Sequence, residues 1–285
     1  MTETLPEEPT RYAPEWLELR EPADAAARAT DLLGPLRAAL RAGSDGTATV
    51  VHDLGCGTGS MGRWLAPRLD GPQHWVLHDR DPHLLRLAAA GSPRSAAHGS
   101  TVTVETRGGD LARLTPASLT GTSPASLVTA SALLDVLRAE EIDTLAAACV
   151  SAGCPTLLTL SVAGRVDLTP EDPLDGVLTE AFNAHQRREG LLGPDAVTAA
   201  ATAFSTRGAE VHLRPAPWRL GPAQAPLLTA WLRGWVTAAV EQSPSLGPRA
   251  ARYLSARLEA LDAAALDITV HHTDLLALPP TNGPT

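Results

Sequence analysis

The stretch Val50–Gly62, V-V-H-D-L-G-C-G-T-G-S-M-G, decides how this chain folds. Its two valines lead into Asp53, and glycines then occupy every second position from 55 to 59. This order predicts a β-strand, a tight glycine turn and the start of a helix. Because glycine has no Cβ, the backbone of such a turn can approach a ligand closely. Amide groups at the start of the helix favour a negative or hydrogen-bonding partner.

Two common nucleotide-binding loops differ from this stretch to different degrees. A Walker loop needs a lysine followed by Ser or Thr, whereas all 23 basic residues of the chain are arginines. The dinucleotide fingerprint is G-x-G-x-x-G after a strand, and Gly57, Gly59 and Gly62 have that spacing. These glycines alone therefore leave NAD or FAD open. The acid Asp53 argues against a phosphate in the turn, since like charges repel.

The whole string 53–59, D-L-G-C-G-T-G, resembles motif I of class I S-adenosylmethionine (SAM)-dependent methyltransferases, D/E-x-G-x-G-x-G. The resemblance implies an α/β fold, a Rossmann-like doubly wound sheet of seven strands. Most strands would be parallel, the last antiparallel, and helical caps would be added to the sheet. The residues that would hold the methionine part of SAM are Asp53, Leu54, Gly55, Cys56, Gly57, Thr58 and Gly59.

A second strand is predicted over residues 74–78 and closes at Asp79. In dinucleotide-binding folds an acid at this place receives the ribose hydroxyls. The string 79–85, D-R-D-P-H-L-L, also resembles the methyltransferase motif D-x-S-P-x-x-L. The resemblance implies that Asp79 holds the ribose and that Arg80 borders the adenine. The alternative is a surface acid at the start of a helix.

Two further strand ends complete the predicted cofactor site. After a strand over 101–106, the pair 109–110 fits the place where an acid meets the adenine amino group in this family, although Asp110 could instead cap a helical turn. The strand over 126–130 and the loop after it resemble motif IV. The residues that the resemblance assigns to the adenine and sulfur are Gly109, Asp110, Leu111, Ala130, Ser131 and Leu134.

Two residues are candidates for catalysis. Methyl transfer depends mainly on alignment and desolvation, because a sulfonium is already a good leaving group, so no catalytic triad is expected. Asp135 follows the fourth strand and could orient a substrate or act as a base, or could instead pair on the next helix. His185 could accept a proton from a hydroxyl or amine, or could be an exposed histidine on a helix surface.

Helices are expected to add a cap to a single SAM-binding domain, 1–285. Residues 1–42 form an N-terminal helical cap in two pieces, 14–20 and about 23–41, and Gly34-Pro35 kinks or splits the second piece. Residues 163–194, with a helix over about 174–188, and residues 215–262 form helical cap or lid additions. In the leading helix, Arg20 could bind the carboxylate of SAM, while Tyr12 and Trp16 could wall the substrate. The alternative is a surface helix whose tryptophan packs down. Within 215–262, residues 215–226 are predicted to be a proline-rich connector. Trp231 and Trp235, four residues apart on one helix face, are predicted to belong to the core. The alternative is an aromatic cage for a sulfonium or quaternary ammonium.

The composition of the chain limits the kinds of partner and ligand that it is expected to bind. The formal charge of −9 and the lack of a dense arginine cluster make a nucleic-acid substrate unlikely. Three cysteines at positions 56, 149 and 154 fit neither a disulfide framework nor a zinc site. An acidic, polar beginning and the lack of a long apolar run predict a cytoplasmic protein without a membrane segment. No metal is expected, since His74 and His78 would lie about 13 Å apart on a strand.

The predicted function is transfer of a methyl group from SAM to an O, N or C nucleophile of a small metabolite, by in-line displacement, leaving S-adenosylhomocysteine (SAH). One alternative is an aminopropyl-type transferase of the same fold, which needs an acidic D-x-x-D-P-like cluster after the fourth strand. Residues 131–136 offer only Asp135 there. The other alternative is a non-catalytic SAM- or nucleotide-binding protein. The oligomeric state, monomer or homodimer, stays open.

Overall fold

The computed structural model describes residues 13–43, 46–109 and 115–280, and in these ranges eight β-strands form one mixed sheet. The spatial order is β3-β2-β1-β4-β5-β8-β6, and the short β7 pairs with β8. Strands β1 to β5 are parallel, and β8 is antiparallel to β5, β6 and β7. The bounds are β1 Thr49–Leu54, β2 Gln73–Asp79, β3 Val102–Gly108, β4 Leu127–Ser131, β5 Thr156–Thr169, β6 Glu210–Pro215, β7 Trp218–Leu220 and β8 Asp267–Leu278.

This arrangement is the α/β, Rossmann-like, doubly wound fold that the resemblance to class I methyltransferases implies, and the predicted fold class is confirmed. The seven strands of the main path include the antiparallel last strand of the chain. Strand β7 was not predicted, because it lies in the segment 215–226 that the prolines mark as a connector.

Helices cover both faces of the sheet. Adjacent strand residues point to opposite sides: Leu127 packs in a cluster with helices α2, α3 and α4, whereas Val128 packs with α5, α6 and α8. Two buried layers therefore enclose the parallel strands. The helix bounds are α1 Pro14–Ala27, α2 Leu33–Ala42, α3 Ser60–Leu65, α4 Pro82–Gly91, α5 Pro116–Thr120, α6 Ala139–Ser151, α7 Asp175–Gln186, α8 Ala196–Ser205, α9 Ala225–Gln242 and α10 Gly247–Asp262.

A third buried cluster forms a cap beyond the sheet. Strands β5 and β8, of 14 and 12 residues, run past the point where β4 ends. Their extensions, with β7, carry helices α7, α9 and α10 around a core that includes Leu178, Trp218 and Trp235. Residues 163–169 are thus strand, which corrects the prediction that the fifth strand ends at Val162 and that a cap segment begins at residue 163. The missed signal is the period-two recurrence of Val166 and Leu168 between polar residues.

The N-terminal helices divide neither between residues 20 and 23 nor at Gly34-Pro35, the two places that were predicted. Helix α1 continues through Pro22, and the chain becomes extended at Arg28 and Ala29. Gly34-Pro35 lies instead in the first turn of α2, where proline is tolerated because its missing N–H has no partner to lose. The division is held by Asp274 of β8, whose carboxylate accepts a hydrogen bond from the Ala29 amide at 2.8 Å.

A bulge in β5 connects the sheet to the cap. The β5–β8 register shifts between Val162 and Val166, and Gly164 in this bulge has a φ of +69°. The Asn183 amide of α7 donates a hydrogen bond of 2.7 Å to the Gly164 carbonyl. A Cβ on Gly164 would lie 2.8 Å from Pro194 Cβ and 3.1 Å from Asn183 Nδ2. The cap therefore packs directly against the backbone of this glycine.

Gly164→Ala is expected to destabilise the protein by roughly 2–4 kcal/mol, since a positive φ and a steric contact are both imposed on alanine. Gly71→Ala is the matched control, because Gly71 has a φ of +76° but nothing within 4 Å of the added Cβ. It should cost only about 1–2 kcal/mol. Urea unfolding measures both free energies, and equal losses would mean that the cap does not press on Gly164.

Candidate active site

A cavity of about 1330 Å³ lies at the carboxyl ends of β1, β2 and β4. Its walls are the glycine turn after β1, the N-terminal helix α1, the turn after β4, and the cap elements α7, α9 and β8. Open α/β sheets bind ligands at this edge because the loops after parallel strands converge there. Of the described residues, no three His, Cys, Asp or Glu side chains gather in a way that could hold a metal ion.

The glycine turn has the backbone that its sequence predicts. Gly55, Gly57 and Gly59 have φ values of +63°, +54° and +85°, which side chains with a Cβ rarely adopt. Helix α1 packs on this turn, with Leu17 Cδ1 3.2 Å from the position of a Cβ on Gly57. Within the turn, burial raises the pKa of the Cys56 thiol. This cysteine is therefore a neutral wall group and not a nucleophile.

Asp79 joins the glycine turn to the loop after β2. Its Oδ2 accepts a hydrogen bond from the Gly57 amide at 2.9 Å, and its Oδ1 accepts one from the Asp81 amide at 2.9 Å. Asp81 in turn caps helix α4 by accepting from the His83 amide at 2.7 Å. Asp79 is almost buried yet borders the cavity. The carboxylate is thereby fixed in orientation at the cavity wall.

Asp53 is a buried acid beneath the same turn. Its Oδ1 accepts a hydrogen bond from the Thr129 hydroxyl at 2.8 Å, while its Oδ2 is buried and has no hydrogen-bond partner. Burial raises the pKa of Asp53 to about 7, against the opposing hydrogen bond from Thr129 and the positive charge of Arg28. Its ionisation therefore falls in the physiological range.

Arg28 is a buried cation at the site that was not predicted from the sequence. Its Nη2 donates to the Ser60 hydroxyl at 3.2 Å and to the Ser131 hydroxyl at 3.1 Å. Both serines border the cavity, so Arg28 lies directly behind its wall. Burial lowers the pKa of Arg28, and the charges of Asp24 and Asp274 oppose that shift. Nothing local in the sequence distinguishes this arginine from the other 22 basic residues.

Arg20 borders the cavity, but its guanidinium is already engaged. Its Nε lies 2.9 Å from Asp24 Oδ2, and its Nη2 donates to Asp24 Oδ1 at 3.2 Å. The guanidinium carbon also lies 5.1 Å from the ring centroid of Trp218, whose Nε1 donates to Asp24 at 2.9 Å. Arg20 thus ties α1 to the cap strand β7. Trp16, one helical turn earlier, also borders the cavity.

The two predicted catalytic candidates reach the same cavity from different elements. Asp135 sits in the turn after β4, and its buried Oδ1 has no hydrogen-bond partner. Burial raises the pKa of Asp135, and the positive charge of Arg20 acts in the opposite direction. His185 of α7 has its Nε2 3.0 Å from Glu241 Oε2 and in contact with Arg188. Asp135 therefore has a buried polar atom without a partner, whereas the Nε2 of His185 is engaged.

The structure brings most of the predicted residues together. Leu54, Ala130 and Leu134 instead lie in the buried layer with α6, and Gly59 faces Ala88 of α4. Tyr12, Asp110 and Leu111 lie outside the described residues. Those that border the cavity are Trp16, Arg20, Asp53, Gly55, Cys56, Gly57, Thr58, Asp79, Arg80, Gly109, Ser131, Asp135 and His185.

The cap supplies further cavity residues that were not predicted for the site. His271 of β8 pairs with Asp167 of β5 at 2.8 Å, and the neighbouring His272 is buried against Trp218. Burial lowers the pKa of His272 to about 3, so it is neutral at pH 7. Trp231 and Trp235 also border the cavity. Trp235 is buried as predicted, and the four-residue spacing of this pair was the one visible signal.

Comparisons with known proteins find distant structural similarity and no match at the level of sequence. The sequence matches no family model and has no significant match among curated proteins. Solved structures that match include a cyclopropane synthase from Mycobacterium tuberculosis, at 13% identity, a TM-score of 0.46, and coverage of 93% of this chain and 94% of that chain. Another is a mycolic acid cyclopropane synthase complexed with SAH, at 14% identity, a TM-score of 0.47 and coverage of 92% and 94%.

A third match is phosphoethanolamine N-methyltransferase 2 of Haemonchus contortus in complex with SAM, at 14% identity and a TM-score of 0.44, covering 95% of this chain and 58% of that chain. Identities and TM-scores this low assign neither an activity nor a substrate to the present chain. In the described part of the chain, no helix is long and apolar enough to span a membrane.

The raised pKa of Asp53 predicts a dependence of stability on pH. Between about pH 4 and pH 7 the folded protein keeps a proton on Asp53 that the unfolded chain has released, so stability falls as pH rises through this window. In Asp53→Asn this contribution is absent. The free energy of unfolding of the wild type should therefore fall relative to the variant, by on the order of 2–4 kcal/mol across the window.

Urea unfolding of both proteins at pH 5, 6, 7 and 8 measures this difference. The asparagine keeps an oxygen that can accept the hydrogen bond from Thr129, so the comparison isolates the ionisation. Parallel pH profiles for the two proteins would contradict a raised pKa at Asp53.

Proposed function

We propose that the chain is a SAM-dependent methyltransferase that acts on a small molecule. The observation that carries the proposal is the direct bond between the D-x-G-x-G-x-G turn and Asp79, at the edge of a cavity of about 1330 Å³. Pockets for a single small ligand usually measure roughly 300–1,000 Å³. The cavity therefore has room for a cofactor beside the glycine turn and an acceptor beneath the cap.

The donor set at the glycine turn suits a cofactor with positive charge. Asp53, Asp79 and Asp135 border this end of the cavity, and the oxygens Asp53 Oδ2 and Asp135 Oδ1 lack a hydrogen-bond partner. SAM has an ammonium group and, when bound, supplies an electrophilic methyl group on a sulfonium. Carboxylates favour such groups, whereas they would repel the pyrophosphate of a dinucleotide.

Each part of the site would then have a separate task. Asp79 would accept hydrogen bonds from the ribose hydroxyls, and the backbone of Gly55–Gly59 would lie against the amino-acid part of the cofactor. Arg28 would act from behind the wall, by orienting the hydroxyls of Ser60 and Ser131. Arg20 would contribute less directly than the sequence predicts, because Asp24 already neutralises its charge. Helix α1 would shield the cofactor from water through Leu17.

Asp135 is the better candidate for accepting a proton from the acceptor nucleophile. A carboxyl group whose pKa is raised by burial is closer to the range that general bases need at neutral pH. Its Oδ1 has no partner, whereas the Nε2 of His185 already contacts Glu241 and Arg188. We therefore assign the base to Asp135 and keep His185 as a residue of the cavity wall.

Calorimetry with SAM, SAH and NAD tests the cofactor class. We expect SAM and SAH to bind and NAD not to bind. Transfer of a labelled methyl group from SAM into cell extract then tests the activity. Failure of both SAM and SAH to bind would refute the proposal, and binding without transfer into any extract would instead favour a non-catalytic SAM-binding protein.

Asp79→Ala is expected to weaken SAM binding at least tenfold, because a carboxylate that accepts two ribose hydrogen bonds is lost. Asp79→Asn is the control for the loop, since it keeps one oxygen acceptor near the Gly57 amide. It should fall between the wild type and the alanine variant in calorimetry. Unchanged SAM affinity in Asp79→Ala would refute the ribose role.

Asp135→Asn is expected to lower methyl transfer at least 100-fold while leaving SAH affinity within about threefold, because general bases contribute about 10²–10⁴ in rate. His185→Ala should lower transfer by less. Single-turnover transfer of labelled methyl into the extract fraction that accepts it measures both. A larger loss in His185→Ala than in Asp135→Asn would reverse the assignment of the base.

A further inference from the structure

The aromatic residues of this chain are concentrated around the cavity. Aromatic side chains make up only 4% of the sequence, and the chain has six tryptophans and two phenylalanines. Four of the tryptophans and one of the phenylalanines border this single cavity. They are Trp16, Phe182, Trp218, Trp231 and Trp235.

Helix α9 presents one face to the cavity, with Ala230, Trp231, Gly234 and Trp235 along it. The rings of Trp231 and Trp235 are stacked, with centroids 5.2 Å apart and planes inclined by 15°. Trp235 is fully buried behind this contact, whereas Trp231 stays half-exposed. The pair therefore holds a flat apolar surface of Trp231 rigidly at the cavity wall.

Packing within the protein does not require a glycine at position 234. It lies inside an 18-residue helix, where glycine costs about 1 kcal/mol relative to alanine. It does not have the positive φ that would require glycine, and a Cβ built on it meets nothing within 4 Å. The glycine leaves open space beside Trp231. A ligand that lies across the helix at this point would use that space.

The charges at the cap end are paired with one another. Arg165 and His271 each lie within 2.9 Å of Asp167, and His185 lies 3.0 Å from Glu241. An anionic substrate group would have to compete with these carboxylates for the Arg165 guanidinium and for the two imidazoles. This arrangement favours an acceptor without a net charge over a phosphate or carboxylate compound.

We propose that the methyl acceptor is a flat, uncharged aromatic compound that has a hydroxyl or amine nucleophile and lies across Gly234 against Trp231. The proposal rests on the methyltransferase function proposed above and specifies its substrate class. Offset stacking on a tryptophan contributes free energy beyond the burial of apolar area, which a saturated alkyl chain does not gain. The open space beside Gly234 and Trp231, the acceptor slot, then limits the size of the acceptor.

Substitutions at Gly234 test the slot without disturbing the fold. Gly234→Ala and Gly234→Leu place atoms in open space, so circular dichroism should show an unchanged or slightly raised melting temperature. Gly176→Leu is the matched control, because Gly176 is an exposed glycine of helix α7, outside the cavity wall, with nothing within 4 Å of its Cβ. SAH affinity should stay within twofold in all three variants.

The probes are 2-naphthol, 1-decanol and choline, each titrated by calorimetry into the full chain saturated with SAH. We expect 2-naphthol to bind the wild type more tightly than the other two. Its affinity should fall at least tenfold in Gly234→Leu, fall less in Gly234→Ala and stay unchanged in Gly176→Leu. Quenching of tryptophan fluorescence by 2-naphthol gives a second readout of binding.

Three results would overturn the substrate class while SAH still binds. These are an absence of 2-naphthol binding, equal 2-naphthol affinity in wild type and Gly234→Leu, and preferred binding of 1-decanol or choline that depends on Gly234. Either of the first two would show that no aromatic acceptor binds beside Gly234. The third would show that the acceptor is an alkyl or cationic compound instead. Failure of SAH itself to bind is a distinct result, which refutes the underlying function.

Discussion

The site depends on the interactions of one buried cation, the guanidinium of Arg28. A cation in the protein interior is stable only where opposite charges and hydrogen-bond acceptors surround it. Here the acids Asp24, Asp53 and Asp274 lie close enough to affect its pKa. Its hydrogen bonds reach Ser60 at the start of α3 and Ser131 at the end of β4. The end of α1, two sheet loops and β8 must therefore come together for this charge to be accommodated.

Asp274 couples this charge cluster to the strand that builds the cap. It accepts hydrogen bonds from the Ala29 amide at 2.8 Å and from the Leu160 amide at 2.7 Å. Leu160 lies in β5 where the register against β8 shifts, so the carboxylate supplies a partner for an amide that the ladder leaves unpaired. Burial raises the pKa of Asp274 to about 6. The extension of β5 and β8 begins at this point, and the cavity lies between that extension and α1.

The glycine turn, Asp79 and the fold class are predictable because they depend on contiguous residues. A strand, three glycines at alternate positions and a second strand ending in an acid each leave a local pattern in the chain. Arg28 leaves no such pattern: its partners Ser60 and Ser131 lie 32 and 103 residues away. The strand part of 163–169 and the short β7 were missed for a related reason. Their polar and proline residues resemble a loop until pairing with β8 supplies the hydrogen bonds.

The amino-acid sequence by itself determined the backbone of the turn after β1 and the kind of ligand that its residues suit. Only glycine adopts the left-handed φ values of that turn without strain, and this property belongs to the residues themselves. The tertiary structure decided which polar groups are paired and which have no partner. Arg20 pairs with Asp24, the Nε2 of His185 lies 3.0 Å from Glu241, and Asp135 has one oxygen without a partner. It also decided that Gly234 faces open space beside Trp231. These outcomes depend on burial and on distances between remote segments, which exist only once the sheet and its cap have packed.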